Sequence, residues 1–337
     1  MVRSLSTFLW ANFREHFSRS LTEEDLRFLQ VARRTEDTIS LYILQKGCSA
    51  PVCHVKTVRN PEDADMLRRE FRALEQVRRR LSGTDLEDSI PRPLALANLD
   101  GSVVLVLSVL SGKPLSKILA QDSLWLRRGW GASRPLAHVC NWLTRFQEAT
   151  SDGGRLFRWT VHDPLENLIL NYPGVDLKRY RGVMDRLARL TFEFRARAVA
   201  SHGDMQVRSL LVSRAGLRVN DWSQYREAGH PLEDLLDMFF SAGALVGDCS
   251  GKPPFAFLMD PSFWLHNVFL ESLAGQCSRI NLKPDEVQSY LLSYALRRLN
   301  RALAMNDYRS AKQGLQLIEN LVEHEHNFCS RLLKCLS

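Results

Sequence analysis

The chain is predicted to be an α+β protein with two lobes: a small antiparallel sheet carrying one helix, then a larger and mostly helical part. Three observations predict it. Short β-branched or alternating runs fill the first third, long segments of helical period follow Gly112, and only one hairpin interrupts them. A doubly wound α/β domain would alternate strand and helix throughout. The predicted lobes are residues 1–112 and 113–337.

In the first lobe, residues 28–32, 38–45 and 52–58 read as three antiparallel strands separated by polar turns. Asn60-Pro61-Glu62-Asp63 is a helix start, with a cap candidate, a first-turn proline and acids at the positive dipole end. The helix carries Leu67, Phe71, Leu74, Val77 and Leu81 on one face and stops near Ser82-Gly83. Two more strands, 90–99 and 103–110, turn at Asp100-Gly101. In the second lobe, residues 115–120, 135–149 and 177–199 show helical periodicity. A hairpin of 210–212 and 217–219 turns over Ser213-Arg214-Ala215-Gly216, and from Pro231 onward the chain is again mostly helical.

Composition narrows the function. With 45% hydrophobic and 25% charged residues, the chain has the make-up of a soluble globular protein. A net charge of +7 suits anionic partners such as nucleotides, but Lys and Arg are dispersed and no nucleic-acid module is visible. Seven cysteines without a CxxC pair argue against a disulfide framework or a zinc site, and so for a reducing compartment. Without a spanning apolar run or a signal-peptide core, the expected location is cytoplasmic. Leu5, Phe8, Leu9, Phe13 and Phe17 recur at helical spacing among Arg3, Arg14 and Arg19. Such a helix can lie on a membrane surface as a peripheral contact, but packing on the neighbouring sheet is the preferred reading.

The chemistry concentrates in Ser201-His202-Gly203-Asp204, followed by Leu210-Leu211-Val212 and by Asn220-Asp221-Trp222. One carboxylate precedes an apolar strand and the second ends the hairpin. The turn would bring them together although they stand seventeen residues apart. Phosphoryl transfer needs such a pair, one acid to take the proton of the attacking hydroxyl and one to hold magnesium. No G-x-S-x-G, H-E-x-x-H or clustered His/Cys set is present, which sets hydrolase chemistry aside.

These segments resemble the catalytic loop and metal-binding segment of aminoglycoside phosphotransferases, choline kinases and related small-molecule kinases. Gly229-His230-Pro231-Leu232-Glu233-Asp234-Leu235 resembles the stretch that follows, ending in an aspartate that is structural in that family. The resemblance spans residues 38–234 and implies a protein-kinase-like fold, with a nucleotide-binding first lobe and a catalytic, acceptor-binding second one. It implies ATP and Mg2+ as cofactors, Asp204 as catalytic base, Asp221 as magnesium ligand and a hydroxylated small molecule or sugar as acceptor.

By the same resemblance, Lys56, ending an alternating strand, contacts the α- and β-phosphates. It requires a carboxylate on the following helix. Glu70 lies between Leu67 and Leu74 and projects near the apolar face, whereas Glu75 points to solvent, so Glu70 is chosen. His54 shares a strand face with Lys56, which allows stacking on the base or an ordinary core role. The strand running into Ser111-Gly112 resembles the hinge of the family, placing backbone groups from Ser108 to Leu110 at the adenine edge.

The chain also departs from the family pattern. Ser209 stands where asparagine completes the metal site, and a hydroxyl is a shorter and poorer ligand than an amide carbonyl. Gln206 is near enough in sequence to substitute. The turn Arg33-Arg34-Thr35-Glu36-Asp37 has no glycine to let backbone amides approach phosphate, and Asn220 replaces an apolar residue. These changes sustain an alternative reading: a kinase-like pseudoenzyme of reduced or absent activity that binds nucleotide or a partner as a regulatory module. From Gly251 onward ten basic residues face eight acidic ones, a balance that favours a neutral or anionic acceptor over a polycation. Phe263, Trp264, Phe269, Tyr290 and Tyr294 are pocket-wall candidates, although helical spacing favours a core role.

Overall fold

The computed structural model describes residues 2–16, 22–31, 38–123, 130–151, 155–159, 162–171, 194–250, 256–304 and 306–323. The chain divides into two compact units: Met1–Lys113 with Ser209–Tyr225, and Pro114–Arg208 with Arg226–Ser337. The hairpin that follows Ser201–Asp204 thus groups with the N-terminal sheet.

The first unit is built on an antiparallel sheet of β1 (Leu26–Val31), β2 (Thr38–Gln45), β3 (Pro51–Val58), β4 (Pro93–Leu99) and β5 (Ser102–Ser108). Their spatial order is β1-β2-β3-β5-β4. The turn of β4 into β5 has Asp100 and Gly101 at φ 51° and 80°, the paired positive values that a two-residue hairpin requires. Helix α1 (Val2–Asn12) places Leu5 and Leu9 in a buried cluster with Leu41, Ile43, Val55 and Val104. Its apolar stripe is therefore spent on the sheet. Phe17, Arg19, Ala32 and the turn from Arg33 to Asp37 lie outside the described residues.

Helix α2 (Ala64–Leu81) buries Leu67, Leu74, Val77 and Leu81 along one face, each such burial contributing about 1.5–3 kcal/mol. A short 3-10 turn, Pro61–Asp63, precedes it, and Asn60 makes no side-chain cap hydrogen bond. The start is set by the fixed φ of Pro61 rather than by Asn60. Strands Leu210–Ser213 and Gly216–Val219 pair in the register Leu210↔Val219.

The second unit is mainly helical, with helices Leu115–Ser123, Trp130–Thr150, His162–Asn171, Glu233–Ser250, Trp264–Ile280, Pro284–Ala304 and Tyr308–Glu323. Phe239 and Phe269, ring centroids 5.2 Å apart, sit in its core. One expectation fails here. Of the helix anticipated over 177–199, residues 177–193 lie outside the described residues, and Phe194–Arg197 is a strand paired with Leu156–Trp159. Val199–Ser201 is a second strand, paired with Arg226–Gly229. The reason is periodicity: Arg195 and Arg197 are exposed while Ala196 and Ala198 are buried, the period of two that a half-buried strand shows. Among the described residues no helix is long and apolar enough to cross a membrane.

Candidate active site

In the first unit, β3 turns Lys56 inward and α2 meets it with Glu70. The Lys56 ammonium donates to both Glu70 oxygens, at 2.7 and 2.9 Å, and to Asp221 Oδ1 at 3.2 Å. Lys56 and Glu70 are almost fully buried, whereas the Asp221 side chain keeps 23% exposure. Burial alone would lower the Lys56 pKa, but Asp221 and then Glu70 outweigh it and hold the ammonium charged. Burial pushes the Glu70 carboxyl upward against the pull of Lys56. Glu75, one turn further along the same helix, is exposed.

Asp221 has a left-handed backbone, φ 71°, a strained conformation that Asp tolerates better than most residues. Trp222 fixes it. The fully buried indole donates to the Val219 carbonyl at 3.0 Å, and the Trp222 backbone N–H donates to Glu70 Oε1 at 3.3 Å. Ser209 is buried at the open end of the hairpin, where its carbonyl accepts the Asn220 N–H at 2.9 Å. The end of the hairpin therefore aligns Ser209 with the segment that carries Asp221.

The remaining nucleotide-site candidates are placed as follows. The register sets Tyr42 opposite His54, and their rings stack at 4.8 Å, so one face of the imidazole is covered by a neighbour in the sheet. Ser108 closes the end of β5: its N–H donates to the Arg92 carbonyl at 2.9 Å and its hydroxyl accepts the Arg92 N–H at 2.8 Å. The segment running on from Ser108 to Leu110 is half-buried.

In the second unit, the turn Ser201–Asp204 wraps around the buried carboxylate of Asp234. Asp234 accepts the Ser201 hydroxyl at 3.0 Å, the His202 N–H at 2.8 Å and the Gly203 N–H at 2.9 Å. Gly203 takes φ 78°, available to glycine without a Cβ penalty. Gly229 is needed for closeness: a Cβ there would lie 2.5 Å from that of Ser201. The turn presents Asp204, whose Oδ1 accepts the Gln206 amide at 2.6 Å and whose Oδ2 lies 3.8 Å from Arg208. Gln206 is thus directed at Asp204.

Asp204 borders a cleft of about 400 Å³ within this unit. Glu233 there binds Arg226 with contacts of 2.7 and 2.9 Å, and Asp237 binds Arg298 at 3.0 Å and also the Tyr294 hydroxyl. Burial pushes the Asp237 carboxyl up to about 7, with Arg298 pulling the other way. Of the aromatic candidates, Tyr294 lines the cleft, Phe269 and Tyr290 are buried core, and Phe263 and Trp264 are half-buried. Asp237, Arg297, Arg298 and Arg301 are cleft residues that sequence reasoning missed. Two spacings carried a signal: Asp237 follows Asp234 by three positions, and Arg301 follows Arg297 by four, both on single helix faces.

The fold is the protein-kinase-like fold of small-molecule kinases. A GDP-bound variant of aminoglycoside 2′-phosphotransferase-IIIa matches with TM-score 0.55 and 14% identity, over 97% of this chain and 100% of its own. Glucosamine kinase bound to glucosamine, ADP and inorganic phosphate matches with TM-score 0.53 and 16% identity, over 90% of this chain and 83% of its own. Amicoumacin kinase bound to AMP-PNP and Ca2+ matches with TM-score 0.52 and 11% identity, over 92% of this chain and 96% of its own. No protein-family model matches the chain, and no curated protein matches it.

Proposed function

We propose that the chain is an ATP-dependent phosphotransferase that moves the γ-phosphoryl group to a hydroxyl of a small molecule or sugar. The observation that carries this reading is the buried Lys56 bound to Glu70 and Asp221, in a chain with the fold of small-molecule kinases. Residues 1–112 take the nucleotide and residues 113–337 the acceptor. Lys56 contacts the α- and β-phosphates while Glu70 fixes its direction, and the backbone from Ser108 to Leu110 meets the adenine edge beside His54.

Asp221 and Ser209 offer carboxylate and hydroxyl oxygen, a hard donor set that suits Mg2+. Magnesium, when bound, neutralises charge on the phosphate oxygens. Asp204 receives the proton of the acceptor hydroxyl as that oxygen bonds to the γ-phosphorus. The bond from phosphorus to the bridging oxygen of ADP breaks, and ADP leaves with its electron pair. Gln206 holds Asp204 Oδ1, and Oδ2, 3.8 Å from Arg208, is the oxygen that meets the hydroxyl.

Ser209, in place of the asparagine of the family pattern, favours the second reading, a nucleotide- or partner-binding module with little turnover. Thermal stabilisation by ATP, with and without magnesium, separates the two. The kinase reading expects stabilisation that requires magnesium and disappears in Asp221→Ala. Absence of any stabilisation by nucleotide favours a partner-binding regulatory module.

A further inference from the structure

The cleft beside Asp204 collects five arginines, Arg208, Arg226, Arg297, Arg298 and Arg301, against the acids Asp204, Glu233, Asp237 and Asp307. These cations are not equally committed. Arg226 is held by both oxygens of Glu233, and Arg298 by Asp237 and the Tyr294 hydroxyl. Arg208 lies at the loose distance of 3.8 Å from Asp204.

Arg297 and Arg301 differ from the other three. Arg297 spreads over the Tyr290 ring, 5.3 Å from its centroid, and its buried Nη2 has no hydrogen-bond partner among the described residues. Arg301, one helical turn on along Pro284–Ala304, is exposed at the cleft. A buried guanidinium N–H without a partner costs the full desolvation of that group, and like charges gathered in one cleft repel. A bound anion relieves both, because carboxylate and phosphate oxygens match the guanidinium fork. A polycationic acceptor would add to the repulsion.

We infer that the acceptor entering this cleft carries an anionic group, a phosphate or a carboxylate, bound by Arg297 and Arg301 while its hydroxyl faces Asp204. This rests on the proposed kinase reading. The transfer is unchanged: the hydroxyl oxygen gains the phosphoryl group, Asp204 gains the proton, and ADP departs.

The test has a turnover arm and a binding arm. ADP formation is followed with glucose, glucosamine, gluconate, glucose 6-phosphate and kanamycin as acceptors, and products are confirmed by phosphorus NMR. An anionic probe should exceed the neutral and cationic ones by about 100-fold in kcat/KM, as two charge-assisted contacts supply. Gluconate against glucose 6-phosphate distinguishes carboxylate from phosphate. Arg301→Gln should raise KM for the anionic probe about tenfold, leave KM for ATP unchanged, and be partly rescued in Arg301→Lys. Preference for glucosamine or kanamycin, or an unmoved KM in Arg301→Gln, overturns the inference and leaves the kinase reading intact. If no probe is phosphorylated, calorimetry with inorganic phosphate decides. Binding weakened about tenfold in Arg301→Gln supports the anion site while counting against the kinase reading; no phosphate binding overturns the anion site.

Discussion

Lys56 and Asp221 stand 165 positions apart in the chain, yet their side chains meet at 3.2 Å. The same ammonium is held twice by Glu70, so one buried cation serves two carboxylates. Removing the cation leaves Glu70 buried and unpaired. Lys56→Met should therefore lower unfolding free energy by about 3–5 kcal/mol. Adding Glu70→Gln to that variant should recover part of the loss, a coupling that denaturant titration of both single variants and the double variant would measure.

Asp234 organises the turn that carries Asp204, accepting two backbone N–H groups and one hydroxyl from Ser201, His202 and Gly203. Asp234→Ala leaves those donors buried without an acceptor, at about 1–3 kcal/mol for each group left unmade. The expected result is a lower melting temperature together with a loss of phosphoryl transfer, since Asp204 is then no longer held in one orientation. Retained activity at normal stability would count against this role.

The closeness of Gly229 to Ser201 gives a sharper mutational test. Gly229→Ala places a methyl group 2.5 Å from the Ser201 Cβ, which forces the two paired strands apart. Overpacking of this kind costs about 1–3 kcal/mol. Thermal denaturation should show a loss on that scale for Gly229→Ala, against a gain of about 0.5–1 kcal/mol for Gly275→Ala, an exposed helix position where a Cβ meets nothing within 4 Å.

Asp237 makes stability depend on pH. Its folded pKa, raised by burial to about 7, lies above the ordinary carboxylate value. A raised folded value means that the native state binds the proton more tightly than the unfolded chain. The contribution is complete below about pH 4 and is lost as pH rises through 7. Asp237→Asn should flatten this part of the profile. Unfolding free energies measured from pH 4 to 8 on both proteins would check it.

Some of this was legible in sequence for physical reasons. Glu70 falls within the apolar period of α2, so its inward direction follows from helix geometry, as does the outward direction of Glu75. Asp100-Gly101 announces its turn because few dipeptides accept two positive φ values in succession. Residues 194–197 form a strand rather than the anticipated helix because Phe194-Arg195-Ala196-Arg197 fits period two, a signal lost within a longer helical window. The pairing of Tyr42 with His54 depends on strand register, and that of Asp237 with Arg298 on helix packing across 61 positions. Neither is local, so neither could be read from spacing. The sequence places Gln206 near Ser209, but only the folded turn directs its amide at Asp204.

The central claim is phosphoryl transfer with Asp204 as base, and the most direct measurement compares the wild type with Asp204→Asn. Transfer from ATP to a hydroxylated acceptor would be followed by phosphorus NMR, with nucleotide affinity measured in parallel by calorimetry. Base catalysis is worth about 10²–10⁴-fold. The account predicts that transfer falls by at least that range while magnesium-dependent ATP binding persists. An Asp204→Asn protein that transfers phosphate at the wild-type rate would contradict it.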